Sequence, residues 1–457
     1  MNKEKMDIEY KNPVHINIVS TYPKRGCGIG DFNWDFLKST QNITGDAGLI
    51  KSFGHYPIIR PGMELEYNKF ISDSLEREII QDYPASWNEA LRDIREKSHA
   101  MDAKGLDNIV MLQHEFGLYA DHWTRDNAVN FVKGLYDENI ANVIVLHTLK
   151  KNPSDHEKQV ISGMMKYTDK GIVLSRSGPR TLRKVYGAER GKAIYIPHGV
   201  PEDNTNETKR ELKEKRGLLY KSNGKERKVL TSAGYISRGK GLHYMIRALP
   251  DVINTKEGKG IVYLVAGDTH PEVFKDQGDK YWQCQVNLAR NLKIPGAIIS
   301  EEENESGQKL EKIVDLDGNK IDNLEGANIV FWKKRFTTPE LMGIMKMSDV
   351  GMVGNLDPEQ ISSGPGAYWI GNQRTTIATE STFFKDLEDE GIGLLVGFHQ
   401  PKDFADRMNH YLRLSVKDRK DLRFLTIEKA NNMQWEKVAR NYVDLMRALI
   451  QHRKEDW

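Results

Sequence analysis

The chain reads as an α/β protein built from open parallel sheets, in two similar halves. Three observations predict this. Short continuous apolar runs such as HINIVS (15–20), NIVMLQ (108–113) and NVIVLH (142–147) recur along the first half. Unbroken runs, as opposed to alternating ones, mark strands covered by helices on both faces. Helical stretches separate the runs, and this alternation is the pattern of a parallel sheet. The chain has 457 residues, too many for one compact core and enough for two or three domains.

The elements follow in order. HINIVS leads into TYPKRGCGIGDF, a glycine loop that opens a helix, with Asp31 placed to cap it. A polar helix over about 86–100 precedes the strand NIVMLQ. NVIVLH, GIVLS (171–175) and AIYIP (193–197) are further strands. Residues 202–228 are polar and charged, and read as a domain boundary with a short surface helix. A new strand–helix series starts at Val229. In it Leu242, Met245, Ile246 and Leu249 share one helical face. Residues 300–326 read as an acidic surface insertion, with KIVDLDGNKID a small hairpin turning at Asp317-Gly318. Near the end, Trp435, Val438, Ala439, Tyr442, Leu445, Met446 and Leu449 make one apolar stripe.

Composition narrows the function. Lys+Arg 67 against Asp+Glu 65 leaves +2, which shows no basic excess for nucleic acid. Two cysteines, Cys27 and Cys284, do not make a disulfide framework. The start, MNKEKMDIEYKNP, lacks the apolar core of a secretory signal. No apolar run reaches the roughly 20 residues of a membrane helix. The expectation is a cytoplasmic protein.

The segment 229–273 carries the strongest chemistry. VLTSAGYISRGKGLHYMIRALP, followed by IVYLVAGDTHPEV, reads as strand, basic glycine loop, helix, strand and second glycine loop. Backbone amides and a helix N-terminus at a strand's carboxyl end suit a phosphate. Arg238 and Lys240, among Gly234, Gly239 and Gly241, supply positive charge of the kind a diphosphate leaving group needs. His114, His147, His198 and His270 all follow apolar runs. His114 is the best functional candidate, since Glu115, Phe116 and Gly117 continue it as a loop. Glu359, Gln360, Ser362, Ser363 and Gly364 form a polar loop after the strand 350–353, suited either to phosphate and sugar hydroxyls or to an ordinary turn. Gly26, Gly28 and Gly30 permit close approach of a ligand without matching the dinucleotide fingerprint. No P-loop, HExxH, paired CxxC, GxSxG or metal-ligand spacing is present.

Taken in order, TYPKRGCGIGDF, LQHEFG, VLHT, VLSRSG, IYIPHGV, SAGYISRGKGLHYMIRALP, YLVAGDTHPEV, the DV strand, QISSGPGAYWIG and GLLVGF resemble the GT-B glycosyltransferases. They are similar to the family-4 retaining hexosyltransferases, and the likeness runs over most of the chain. The resemblance implies two Rossmann-like domains facing across a cleft. The first, residues 1–205, would hold the acceptor. The second, 206–430, would hold the nucleotide sugar, and 431–457 would be a helix crossing back to the first.

By the same resemblance Gly28 and Ile29 approach the diphosphate or acceptor, and His114 lies near the transferred sugar. Lys240 matches the family's phosphate-binding lysine. Loops near Gly267 and Phe331 line the base pocket, and Gln360 and Tyr368 take the places of two glutamates. Ser362, Ser363 and Gly364 complete the donor loop. The implied reaction moves a hexose, mannose or glucose, from a GDP- or UDP-sugar to a sugar or glycoconjugate acceptor, with retention and with neither cofactor nor metal. Many relatives use lipid-linked acceptors, although no strongly basic amphipathic helix stands out here. Tyr235 replaces the family's usual arginine, and Arg238 is the residue placed to compensate. That departure keeps two alternatives open: a GT-B-shaped binding protein without turnover, and a GT-B phosphorylase or epimerase.

Overall fold

The apolar runs become two separate sheets in the computed structural model of the chain. It describes residues 13–455 except 24, 48, 119–126, 202–204, 221–223 and 304–307. The stretch before residue 13, read above as lacking a signal, lies outside the described residues. The described residues form two compact units. One contains the chain up to Gly199 together with Glu359–Ser362 and the chain from Met433 onward. The other contains Val200–Pro358 and Ser363–Asn432.

The first unit's sheet has seven strands: β1 (Val14–Ser20), β2 (Ile50–Ile59), β3 (Ile79–Ile80), β4 (Asp107–His114), β5 (Asn142–Leu146), β6 (Lys170–Val173) and β7 (Ala193–Tyr195). Their order is β3-β2-β1-β4-β5-β6-β7, and every recorded pairing is parallel. All seven residues of β1 and all five of β5 are buried, as continuous runs require. β2, IKSFGHYPII, is not evident in the sequence because Gly54 and Pro57 break the strand signal. Packing explains Gly54: a Cβ there would lie 2.5 Å from Asn17 Oδ1 of β1.

The last helix, Trp435–Glu455, belongs to this unit. Its buried stripe includes Trp435, Val438, Ala439, Tyr442 and Met446. It packs on the helix Gly28–Ala47, with Phe32 and Trp435 rings 4.8 Å apart and Phe36 and Tyr442 rings 5.4 Å apart. Leu445 and Leu449, placed on the stripe by periodicity, are only partly buried at its edge. Gly199 closes the contact, since a Cβ on it would lie 2.1 Å from the Trp435 ring.

The second unit's sheet has eight strands: β8 (Lys228–Ala233), β9 (Ile261–Gly267), β10 (Gly296–Glu303), β11 (Lys309–Asp315), β12 (Ile329–Lys333), β13 (Val350–Val353), β14 (Thr376–Thr379) and β15 (Leu394–Val396). The order is β11-β10-β12-β9-β8-β13-β14-β15. Among the described strands of this sheet only the β10–β11 pairing is antiparallel. The insertion is therefore partly a sheet extension. Its turn at Asp317-Gly318 is present, held by Asp315 N–H to Asn319 O at 2.8 Å, and Gly318 has φ 93°.

The charged boundary segment is less superficial than its composition indicates. Its helix Lys209–Lys215 starts with a Thr208–Glu211 capping box, yet Lys213 and Arg227 are wholly buried. Lys213 Nζ donates to Asp349 Oδ2 at 2.6 Å and to Arg227 O at 2.9 Å. Asp349 also accepts from Lys209 and from the Val229 amide. Three lysines and that amide hold the Asp349 carboxyl well below the usual carboxylate range despite its burial. Buried charge here fastens the helix to the starts of β8 and β13.

Candidate functional site

In open parallel sheets a ligand crevice forms outside the carboxyl ends of two strands whose connections run in opposite directions. In the second unit that point is β8, with β9 on one side and β13 on the other. A pocket lies there. Ser232–Ile236, Lys240 and Leu242 line it from the β8 loop, Met352–Asn355 from β13 and its loop, and Pro365 and Trp369 from the next helix, Gly364–Gly371.

Glycines make the room. Gly234 has φ 112°, and its amide donates to Ala266 O at 3.0 Å. Gly267 lies so close that a Cβ on it would be 1.9 Å from Gly234 O. Gly241 has φ 61°, and its Cβ would be 2.2 Å from Gly354 O. The β8 loop is thus pressed against the loops after β9 and β13, and only glycine fits at these contacts.

Lys240 ends the short turn Arg238–Lys240. It is half-buried, and desolvation lowers its ammonium pKa below the ordinary lysine value. Its side chain has no hydrogen bond or ion pair among the described residues. No carboxylate lines the pocket. Asn355 Nδ2 and Trp369 Nε1, both buried in its wall, also lack a partner among the described residues. Neither was singled out from the sequence. The signal available was a polar residue directly after a strand, in GNLDPEQ; for Trp369 there was none.

Three expectations for this unit need correction. Arg238 is exposed and does not line the pocket; its charge bears on His243 and Tyr281. Phe331 lies inside β12, fully buried, with its ring 5.5 Å from Trp282, so it is core and not the wall of a base site. Tyr235, at the place of the family's arginine, lines the pocket with its ring 5.2 Å from His270. The first-turn amides of the following helix are also not bare, because the Tyr281 oxygen accepts from His243 and Leu242 N–H. Ser363 caps the helix Gly364–Gly371, its Oγ accepting from Gly366 N at 3.1 Å. Tyr368 is nearly buried in the same helix.

In the first unit the corresponding crevice position is between β1 and β4. Gly28 and Ile29 begin the helix after β1; Gly28 is exposed, and Ile29 packs on the core. Asp31, read as a cap, is in the helix's first turn. Gly30 is required, since its Cβ would be 2.6 Å from Tyr22 O. His114 ends β4 and is fully buried, with burial pushing its pKa down to about 3. Its carbonyl accepts from His147 N–H at 3.1 Å. His147 is bonded to Gln113 at 2.6 Å, and His198 to Gly199 O at 2.6 Å. Both imidazoles lie edge-on to Phe32. Those two histidines are packed structurally.

The loop Glu359–Ser362 is counted with this unit. Glu359 Oε1 accepts from Asn152 N and Nδ2, each at 2.9 Å, and Ser362 Oγ donates to His147 O at 3.1 Å. Ile361 is in the first unit's core. Gln360 is half-buried, and its Oε1 has no partner among the described residues. The predicted residues thus divide between the units: Gly28, Ile29, His114, Gln360 and Ser362 belong to the first, and Gly234, Lys240, Gly267, Ser363, Gly364 and Tyr368 to the second, where Gly234 and Lys240 line the pocket.

Among the described residues no helix is long and apolar enough to cross a membrane, and no group of three metal-ligating side chains occurs. No family model matches the chain, and no curated protein matches it. Solved structures do. A glycosyltransferase from Rickettsia africae ESF-5 matches with TM-score 0.64 at 14% identity, over 96% of this chain and 99% of that one. A UDP-forming α,α-trehalose-phosphate synthase from Burkholderia vietnamiensis matches with TM-score 0.61 at 12% identity, over 97% and 99%. Anabaena HepE in complex with UDP-glucose matches with TM-score 0.58 at 12% identity, over 97% and 100%. Two sheets of mostly parallel strands, each with its crevice position, together with end-to-end likeness to these proteins, identify the architecture: the chain has the fold of the GT-B glycosyltransferases.

Proposed function

We propose that the protein is a retaining hexosyltransferase of the family-4 type, using a UDP- or GDP-sugar. One observation carries this reading: Lys240, desolvated and unpaired among the described residues, stands in an acid-free pocket at the crevice position of the second sheet. A cation held in that way awaits an anion. The donors of Asn355 and Trp369, unpartnered among the described residues, fit a ligand rich in acceptors. A nucleoside diphosphate meets both demands. HepE was solved with UDP-glucose and the Burkholderia enzyme is named UDP-forming, which favours UDP as the first donor to test.

In the reaction the bond from the anomeric carbon to the diphosphate oxygen breaks. Lys240 then neutralises the charge that develops on that oxygen. The acceptor hydroxyl attacks from the same face, and its proton passes to a donor phosphate oxygen. This route needs no side-chain base. His114, kept neutral by burial, would act as a hydrogen-bonding group to the sugar and not as an acid. The acceptor would be a carbohydrate or glycoconjugate on the first unit, and no metal or cofactor takes part in the proposed route.

The test is nucleotide release from a panel of UDP-, GDP- and ADP-sugars, by wild type and Lys240→Ala. The variant is expected to lose about 10²–10³ in rate, as when one fixed charge-stabilising donor is removed, with unchanged circular dichroism. Near-normal turnover in the variant would remove the assignment. Tyr235 in the arginine's place and Arg238 outside the pocket favour one second reading, nucleotide-sugar binding without turnover. Thermal stabilisation by a nucleotide with no release from any sugar would select it.

A further inference from the structure

The wall of the Lys240 pocket holds more than one charge. Lys240 is the only charged residue that lines it. Ser232 is spent within the wall, since its hydroxyl donates to Met352 O at 2.9 Å and lies 2.8 Å from the Tyr263 hydroxyl. Two buried side-chain atoms of the lining residues have no partner among the described residues: Asn355 Nδ2 and Trp369 Nε1. Both are donors, and an indole N–H can only donate. Asn355 is 3% exposed and Trp369 is not exposed at all. A donor buried without an acceptor is costly, and few are kept in native structures. Such donors fit an occupant that presents acceptors.

Neither residue is loose. Leu356 N–H donates to Gly239 O at 2.9 Å, and a Cβ on Gly354 would lie 3.0 Å from Lys240 O. Asn355 therefore stands between two residues that touch the turn bearing Lys240. The Thr379 hydroxyl, at the end of β14, donates to Asn355 O at 2.6 Å. The Trp369 ring lies against β13, where a Cβ on Gly351 would meet its Cδ2 at 2.4 Å. These contacts fix the Asn355 backbone and the indole ring without using either donor. A site held in place before its ligand arrives loses less freedom on binding.

One ammonium does not surround an anion. Each phosphoryl oxygen that leaves water needs donors to replace its lost hydrogen bonds. Neutral N–H groups serve, because a bond to a charged oxygen is stronger than one between neutral groups. Sugar hydroxyls and a nucleobase bring donors of their own, whereas ionised phosphoryl oxygens only accept. We propose that Asn355 and Trp369 bind the phosphoryl part of the ligand, forming with Lys240 a cradle of one cation and two neutral donors. The inference rests on the reading of this pocket as a nucleotide-sugar site and adds which part of that ligand these two residues recognise.

The experiment compares wild type, Asn355→Leu and Trp369→Phe as full chains. Melting temperatures and dissociation constants are measured with UDP, pyrophosphate and uridine. In wild type UDP and pyrophosphate are expected to raise the melting temperature saturably, and uridine is not. Leucine matches asparagine in size and donates nothing. Asn355→Leu should therefore keep or raise the melting temperature of the unliganded protein, while its constants for UDP and pyrophosphate rise at least about tenfold. Trp369→Phe also loses packing, so it is read through the same two constants, with the same expected rise. An asparagine with a merely structural role gives the reverse, a lower unliganded melting temperature with unchanged constants, and that result would overturn the proposal. Uridine that binds as tightly as UDP would overturn it too, because the phosphoryl group would then add nothing. UDP bound equally by wild type and both variants removes the cradle and leaves the nucleotide-sugar reading standing. Pyrophosphate bound by wild type and weakened in both variants, with no nucleotide bound, keeps the cradle and removes that reading.

Discussion

Gly267 shows what single residues contribute to this pocket. The backbones of the loops after β8 and β9 meet at a distance that leaves no space for a methyl group. Gly267→Ala must push its new carbon away from Gly234 O, and that moves the loop bearing Lys240. Overpacking of this kind costs about 1–3 kcal/mol. A melting temperature lowered by several degrees, with nucleotide binding weakened more than tenfold, is the expected result. A variant with wild-type stability and binding would show that the loops part easily. Lys240 belongs to the same scale. Its neighbours Gly239 and Gly241 make the turn, but its meaning lies in what surrounds its side chain, namely an acid-free wall with two donors unmatched among the described residues.

At the scale of elements, the last helix shows how a distant stretch completes a unit. Its stripe enters the same core as the helix Gly28–Ala47, and Trp435 lies against Phe32, His198 and Gly199. Trp435→Ala removes a nearly buried indole where the backbone of Gly199 is already in contact. A loss of about 3–5 kcal/mol is expected, the usual cost of a large aromatic truncated in a core. Denaturant unfolding measures it, and the midpoint should fall without a change of slope. Were the helix only loosely docked, the loss would be under 1 kcal/mol, within the range of a surface change. The Lys213–Asp349 contact works in the same way in the second unit, since it joins one short helix to two strands through buried charge.

For the molecule as a whole, acid sensitivity follows from the first unit's histidines. Burial, their largest perturbation, pushes His55 and His198 down to about 4, and His114 and His147 to about 3. Each is neutral when folded, whereas in the unfolded chain it titrates near 6.5. A depressed folded pKa gives stability that is fully present above the unfolded value and is lost as pH falls towards the folded one. Between about pH 6.5 and 4 each group can remove up to about 1.4 kcal/mol per pH unit. Melting temperature should therefore be flat above neutrality and fall steeply from pH 6.5 to 4.5. His114→Gln should flatten part of that fall. A melting temperature independent of pH across this window would show that these imidazoles stay uncharged in the unfolded chain as well, or are not buried in solution.

Period and order were legible in the sequence. β1, β4, β5, β6 and β13 follow from apolar runs, because a strand buried on both faces has no alternative composition, and the last helix follows from its stripe. The GT-B architecture was indicated by a resemblance, carried by the order of ten motifs of which most are loops that follow a strand. Composition misled where burial overrode it: Lys213 and Arg227 are core residues in a segment of surface character. The resemblance misled at Phe331, which supports a sheet where it implied a ligand wall. Only the tertiary structure decided which basic residue faces the pocket. Arg238 and Lys240 are two residues apart in one short turn, and that turn sends the lysine to the pocket wall and leaves the arginine exposed. Chain order sets which groups are near one another, but the direction of each depends on the neighbours that exclude water from one side of the turn and leave it on the other.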